Sequence, residues 1–546
     1  MKKKVLYICN DCALGGASQS LRDSLIQLEK FVDIFVVVPS HGPLESFFEE
    51  SNINYEIIPF VLDYGDLASL KTEDGFRVFV DNYSAAKKIS EVIRREQIQL
   101  VHVNSSVSNV GAFAALMCGI PYIYHIRELM PEQFNCDFYD WDVKKKVFDN
   151  ADALISISDF VRDTYLKKYG LTCFRIYNGL NISKYYKKII RKWTSPRFIV
   201  SGNVTPEKGQ RIAVQALSRL SDRGYSDVYL DIVGGGDKEI FKLRKYIQLK
   251  GLANQIFLHG FQNDQTEFRQ NCDYALTVSR NEALGRVTIE AMLAGQFVIG
   301  ADEGGTKEII GAKEERGLLF AHGDVVALAD KMEQAILMPA SEKEKIVQTA
   351  QEYALSTFSY ESYASSLSNI YNKICDEYNG EKKKDSLLWL ESKYNLLSKT
   401  ANCGTSKSSL SDEIDTKHFA KRIRDWFGSG EGTRRFSEYF NKNSIRTVAV
   451  YGMGAMGILL CDALSENNIS IVQMIDAGAD DFDKLIGIKK DVDINMPADL
   501  LIVSVLKNQK NLVDSLQKKC AIKIIGLIDL YNSIEDSDKD IEKYDK

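Results

Sequence analysis

Short apolar runs alternate with longer amphipathic stretches through roughly the first 375 residues, and this rhythm restricts the fold severely. Runs at Val5 to Cys9, Ile34 to Val38, Tyr55 to Ile58, Leu100 to Val103, Tyr122 to Tyr124, Ala153 to Ile157 and Phe174 to Ile176 read as buried strands, with helical periodicity between most of them. Strands separated by whole helices cannot pair as hairpins, so they form a parallel sheet covered on both faces. The rhythm restarts at Phe198 to Val200 and continues through Val228 to Val233, Ile256 to Leu258, Tyr274 to Val278, Phe297 to Ile299 and Leu318 to Phe320, with helical patterns from Val325 to about Asp376. Two α/β domains of similar kind imply a ligand cleft between them.

The expected boundaries are 1–190 for the N-terminal α/β domain and 191–380 for the second. Residues 381–415 read as a linker, because Glu-Lys-Lys-Lys-Asp and a Ser/Thr/Lys-rich run flank one short helical stretch, Leu387 to Leu397. A smaller third unit, 416–546, opens with helical stretches at Phe419 to Phe427 and Arg435 to Phe440, followed by strands at Thr447 to Tyr451, Ile471 to Ile475, Leu500 to Val505 and Lys523 to Leu527. At 546 residues the chain exceeds what one core supports, which agrees with several domains.

A net charge of −6 excludes a general nucleic-acid binder. The apolar run after Lys2 to Lys4 is cut at Asn10 and Asp11, too soon for a signal peptide or a membrane span, so cytoplasmic residence is expected. The basic, aromatic segment Lys184 to Trp193 reads as a linker; its alternative is peripheral contact with an anionic membrane, which would place the protein at the inner face. Several of the 10 cysteines sit in apolar runs and read as small buried hydrophobes, and the lone Cys9-x-x-Cys12 lacks the second pair a zinc site needs.

The richest stretch is Ser279 to Glu308. A strand ends in a polar loop carrying Glu282, and a helix opens near Gly285 with Glu290 in its first turns. Ligands of open parallel sheets bind beyond the carboxyl ends of the strands, where a helix N-terminus offers free N–H groups to phosphate. Two carboxylates there suit hydroxyls, since they would repel the phosphate. A sugar nucleotide carries both.

Glu282-x7-Glu290, with Gly304-Gly305-Thr306 and Glu308 downstream and Gly202-x-x-x-Pro206-Glu207-Lys208-Gly209 upstream, resembles the retaining glycosyltransferases of family 4, over roughly residues 5 to 375. The resemblance implies the GT-B fold, two Rossmann-like domains facing a cleft. It also implies a UDP- or GDP-sugar donor, a glycan or lipid-linked acceptor, and a place in surface polysaccharide or glycoconjugate synthesis. By it, Glu282 contacts the sugar, Glu290 the ribose and Lys208 the diphosphate; the backbone amides of Gly285, Gly304, Gly305 and Thr306 are alternative carriers of the phosphate charge where a cation is missing. Gly15 and Gly16 let backbone approach donor and acceptor, and His125 faces them from the first domain. Strand-end turns at Ser156 to Ser158 and Tyr177 to Gly179 line the cleft; Gly234 to Gly236 and Phe261 border the base, and His102 either faces the cleft or packs. No metal is demanded, because Lys208 and helix dipoles can carry the leaving group's charge.

Two departures stand out. Asn203 occupies the position where many members carry an arginine, which directs attention to Arg280 and Arg286 as the replacement cation. Ala17-Ser18 replaces the usual acid after the glycine pair. These changes keep open a non-catalytic nucleotide-sugar-binding subunit, and the fold also admits a nucleotide-sugar epimerase.

In the third unit, Gly452-x-Gly454-x-x-Gly457 follows a strand and opens a helix, and Asp476 ends the next strand. That context fits the dinucleotide fingerprint, glycines for phosphate approach and an acid for ribose. The unit resembles small Rossmann-like domains appended to enzymes of surface-polysaccharide assembly. It is expected to bind a nucleotide or dinucleotide, or to regulate; transfer itself requires no cofactor. The acidic residues Asp480, Asp481 and Asp483 read as a solvated loop.

Overall fold

The computed structural model describes residues 2–13, 16–67, 70, 72–188, 193, 196–380, 383–401, 419, 422–423, 425–427, 430–480, 483–484, 486–492, 496–506 and 509–536. By compactness the chain divides into a first unit of 1–202, 206–233 and 262–405 and a second of 203–205, 234–261 and 406–546.

The first nine strands are β1 (Lys3–Ile8), β2 (Val32–Val38), β3 (Asn54–Ile57), β4 (Tyr64–Asp66), β5 (Leu100–Val103), β6 (Tyr122–Ile126), β7 (Cys136–Phe138), β8 (Ala153–Ser156) and β9 (Phe174–Arg175). Seven of them form a parallel sheet in the order β3-β2-β1-β5-β6-β8-β9, while β4 and β7 make a separate antiparallel pair. The sequence pattern does not reveal that pair, because three-residue strands reading Tyr-Gly-Asp and Cys-Asp-Phe are too short and too polar to show a period. Then come β10 (Arg197–Ser201), β11 (Tyr229–Val233), β12 (Ile256–Leu258), β13 (Tyr274–Thr277), β14 (Phe297–Ala301) and β15 (Leu318–Phe320), in the sheet order β12-β11-β10-β13-β14-β15. In each sheet the order reverses beside the first strand, so β1/β5 and β10/β13 are switch points where the strand ends open a crevice.

The helix Tyr360–Glu377 returns from the second domain to the first, where Tyr363, Leu367 and Tyr371 complete a core built on β1, β2 and β5. The stretch expected as a linker begins differently. Residues Lys384–Ala401 form an 18-residue helix whose Leu390 and Leu397 join the first domain's core. Tyr394 stacks on Tyr83 at 3.9 Å and Lys393 pairs with Asp140 at 2.7 Å. Its charged, Ser-rich flanks suggested a tether, yet the apolar spacing within it is enough for docking. Residues 402–418 lie outside the described residues.

The second unit contains a five-stranded parallel sheet of β16 (Thr447–Tyr451), β17 (Ser470–Ile475), β18 (Ile488–Lys489), β19 (Leu500–Val503) and β20 (Lys523–Gly526), ordered β18-β17-β16-β19-β20. Asp483 is buried there, not solvated: its carboxylate pairs with Lys242 at 2.5 Å. Asp481 lies outside the described residues.

Beneath β5 and β6 a second buried charge is handled the same way. The Lys144 ammonium, wholly buried, stands 2.6 Å from Asp63 and donates to the Ser106 carbonyl at 2.5 Å and to Asn109 Oδ1 at 2.7 Å. Burial lowers the Lys144 pKa and raises that of Asp63, and each is restrained by the other. Removing one partner strands the other, so Lys144→Met is expected to destabilise the protein by about 3–5 kcal/mol in urea unfolding, with much of the loss recovered on adding Asp63→Leu. A double variant no more stable than Lys144→Met would contradict this account.

Candidate active site

The loop after β13 carries Glu282, and its shape is set by backbone packing on two sides. Gly209, at φ 72°, brings the Lys208 loop so close that a Cβ there would lie 2.4 Å from the Val278 carbonyl oxygen. On the other side a Cβ on Gly304 or Gly305 would fall 2.8 Å from the Glu282 carbonyl oxygen and 2.6 Å from Leu284 Cα. Only glycine permits such approaches. The Arg280 amide donates to the Glu207 carbonyl at 3.0 Å and the Gly305 amide to the Glu282 carbonyl at 2.6 Å, which tie three loops together.

This packing brings Lys208 Nζ to 2.5 Å from Glu282 Oε1. Glu282 is largely covered while Lys208 keeps 39% of its side-chain surface. The pair therefore sits at the mouth of the strand ends, with part of the Lys208 side chain exposed. Asn203 is exposed on the loop that leads to Lys208, and Arg280 is exposed beside Glu282.

Gly285, at φ 84°, caps the helix Arg286–Leu293. Glu290, one turn in, is held on both oxygens: Arg286 Nε donates to Oε1 at 2.9 Å and Arg269 Nη2 to Oε2 at 2.7 Å. Two charge-assisted bonds hold the carboxylate rigid, and its remaining lone pairs can still accept hydroxyls. Arg286 is thus turned towards Glu290. Thr306 is buried, and its hydroxyl has no partner among the described residues. Gly16 is the first residue of the helix Gly16–Leu28, and Gly15 lies outside the described residues.

His125 ends up enclosed. It is fully buried on β6, its Nδ1 3.3 Å from Arg127 Nη2, its ring against His102 and Tyr363 at centroid distances of 5.4 and 6.0 Å. His102 stacks on Tyr7 at 4.6 Å and shares a 2.5 Å hydrogen bond with the Tyr371 hydroxyl. A substrate would reach either ring only if the returning helix moved. Burial, reinforced by Arg127, depresses both pKa values well below the ordinary range, so both rings stay neutral.

Arg127 organises this region: it donates to the Asn104 carbonyl at 2.8 Å, Asn178 Oδ1 at 2.7 Å and the Tyr363 hydroxyl at 3.2 Å. Next to it, buried Glu128 gathers three donors on one oxygen, Ser105 Oγ, Ser106 N and Ser106 Oγ, at 2.8, 2.6 and 2.5 Å. Burial raises its pKa.

In the second unit, Gly452 follows β16 at φ 93°, Gly454 caps the helix Ala455–Glu466 and Gly457 lies against the Gly452 carbonyl. Asp476 accepts from the Met453 amide at 3.0 Å and the Gly478 amide at 2.9 Å, and Lys238 Nζ stands 3.8 Å away. The acid expected on a ribose thus also fastens the glycine loop.

Two family models divide the first two domains between them. Residues 14–184 match Glycosyltransferase Family 4 and residues 182–353 match Glycosyl transferases group 1. The chain is a glycosyltransferase of the GT-B fold. The putative glycosyltransferase YtcC of Bacillus subtilis (strain 168) is 21% identical over 350 residues, 59% of this chain and 84% of that protein. Anabaena Alr3699/HepE, solved in complex with UDP, aligns at 23% identity with a TM-score of 0.56, covering 68% of this chain and 100% of that one. Its UDP-glucose complex gives 23%, 0.55, 68% and 99%. At such identities the structural likeness establishes the fold.

Within this glycosyltransferase, Arg269, Arg127 and Glu128 were missed by motif reasoning. The signal for Arg127 and Glu128 was present: two charged residues directly after a buried strand, where a ligand end is expected. Arg269 offered less, being one basic residue in a short polar helix, Thr266–Asn271.

The buried histidines make a pH prediction. Each folded pKa lies below its unfolded value, so the unfolded chain binds more protons below about pH 6.5, and stability present at neutral pH is lost as pH falls. The slope is about 1.4 kcal/mol per pH unit for each histidine. His125→Phe should lessen the decline between about pH 6.5 and 5 measured by urea unfolding; an unchanged slope would mean that His125 is not held neutral.

Proposed function

We propose that this glycosyltransferase moves a sugar from a nucleotide-diphosphate sugar to a glycan or lipid-linked acceptor, with retention of anomeric configuration, in surface polysaccharide or glycoconjugate synthesis. The observation that carries this reading is the 2.5 Å pair of Lys208 and Glu282 on neighbouring strand-end loops. Without ligand the two charges neutralise each other. An arriving diphosphate competes for the half-exposed ammonium, and Glu282 is released to accept hydroxyls of the sugar. Lys208 then stabilises the charge that develops on the leaving phosphate, and an acceptor on the same face as that phosphate takes the sugar with retention. The solved UDP and UDP-glucose complexes of Alr3699/HepE support a nucleotide-sugar donor.

Glu290 serves the ribose in this scheme, its carboxylate fixed by Arg269 and Arg286. With Arg286 so engaged, Arg280 is the better replacement for the cation absent at Asn203: it is exposed, and its backbone is bonded to the residue preceding Lys208. Gly285 and the Gly304 and Thr306 amides share the phosphate charge, the Gly305 amide being bonded to the Glu282 carbonyl. His125 acts from beneath the acceptor side, as a neutral ring that Arg127 orients. The fingerprint at Gly452, Gly454, Gly457 and Asp476 takes a nucleotide or dinucleotide as a regulatory ligand, and transfer runs without a metal or cofactor.

A screen of radiolabelled UDP-, GDP- and dTDP-sugars for hydrolysis and transfer tests the proposal. One donor class should be consumed, and Lys208→Ala and Glu282→Ala should each lower kcat by about 100-fold or more. An epimerised sugar nucleotide formed without acceptor would replace transfer by epimerisation. Unchanged rates in both variants would remove this site assignment.

A further inference from the structure

The short helix Gly304–Ile310 has a different duty at each end. Its first turn holds the Glu282 loop, through the Gly305 amide bonded to the Glu282 carbonyl at 2.6 Å. Near its last turn the Glu308 side chain leaves its own domain. Oε1 accepts from the Asp159 amide at 3.0 Å and the Tyr177 hydroxyl at 2.6 Å, and Oε2 accepts from the Phe160 amide at 2.9 Å. Those amides open the helix Asp159–Tyr169, so the carboxylate occupies the positive end of a helix dipole and satisfies donors that the helix cannot. Charge-assisted bonds of this kind are short and directional.

A second bond runs beside the first. Ser158 Oγ caps the same helix, accepting from the Val161 amide at 3.1 Å, and donates to the Ala283 carbonyl at 2.5 Å, one residue from Glu282. Three consecutive residues divide the remaining work at this junction. Tyr177 reaches Glu308, Asn178 reaches Arg127 at 2.7 Å, and Gly179 lies against Ser359 and Tyr360, where the chain returns to the first domain. Burial and the neighbouring Glu308 keep the Tyr177 hydroxyl protonated, which suits it to donate.

We propose that Glu308 is a positioning residue: its clasp on the helix Asp159–Tyr169 sets the closure of the two GT-B domains and so fixes the sugar-side Glu282 loop relative to the acceptor side. Glu308 touches no substrate. The groups assigned to the donor, Lys208, Glu282 and Glu290, are held by bonds within the second domain, so loosening the clasp leaves donor binding nearly intact while the reacting groups lose their alignment. Misplacement of reacting groups by about 1 Å costs on the order of 100-fold in rate.

The inference rests on the transferase reading, and the test separates the two. In Glu308→Ala, kcat for transfer should fall about 10- to 100-fold, while KM for the donor and the UDP dissociation constant from calorimetry change less than about threefold. Glu308→Gln, which keeps a carbonyl acceptor, should fall between Ala and wild type. Distances between spin labels placed on the two domains should broaden in Glu308→Ala and remain narrow in wild type. Wild-type kcat in Glu308→Ala, or a fall in kcat matched by equal losses in donor affinity and folded fraction, would overturn the inference. If the wild type transfers no sugar from any donor, the transferase reading fails by itself; an unbroadened label distribution in Glu308→Ala would still overturn the clasp.

Discussion

The Lys208 to Glu282 pair exists because two loop backbones can touch, and most of what surrounds the cleft serves that approach. Parallel strands deliver both loops to the same edge of one sheet, β10 and β13 being neighbours. Glycines at 209, 304 and 305 remove the Cβ atoms that would hold the loops apart. An ion pair at such an edge contributes little to stability, since solvent reaches one partner. Its value lies in keeping two charges of opposite sign ready and mutually satisfied.

Deeper in the first domain charge is handled otherwise. Arg127, Glu128, Lys144 and Asp63 are buried; the first three have several polar partners each, and Asp63 faces the Lys144 ammonium. Desolvation of these groups opposes folding, and only near-complete pairing offsets it. The result is a stiff polar floor at the carboxyl ends of β5 and β6. The neutral rings of His125 and His102 belong to this floor. Tyr371 beside His102 and Tyr363 beside His125 come from a helix far along the chain, and that is why strand-end position alone suggested a more open environment for His125.

What was legible in the sequence follows from period and spacing. Buried parallel strands are continuous apolar runs, and nearly all of them were visible, as were the glycine and carboxylate motifs at their ends. The β4/β7 pair was not, since three polar residues carry no period. Of the helix Lys384–Ala401 the stretch Leu387 to Leu397 reads as helical in the sequence, but its charged flanks hid that Leu390 and Leu397, seven residues apart on one face, dock it. The partners of Glu290 and Glu308 were illegible for another reason. Arg269 is 21 residues from Glu290, and Asp159 and Phe160 are 149 and 148 from Glu308. Only three-dimensional closure pairs them.

The helix Tyr360–Glu377 follows the second domain in the chain and yet is a core element of the first. Tyr371 covers Tyr7 and His102 with hydrogen bonds of 2.6 and 2.5 Å, and Tyr363 meets Arg127. Domains usually fold in the order in which they leave the ribosome. Here the first domain lacks one helix of its core until all of the second has been made. Gene fragments that end near residue 190 would expose that apolar and aromatic face. The first domain is therefore complete only when the chain carries the returning helix as well.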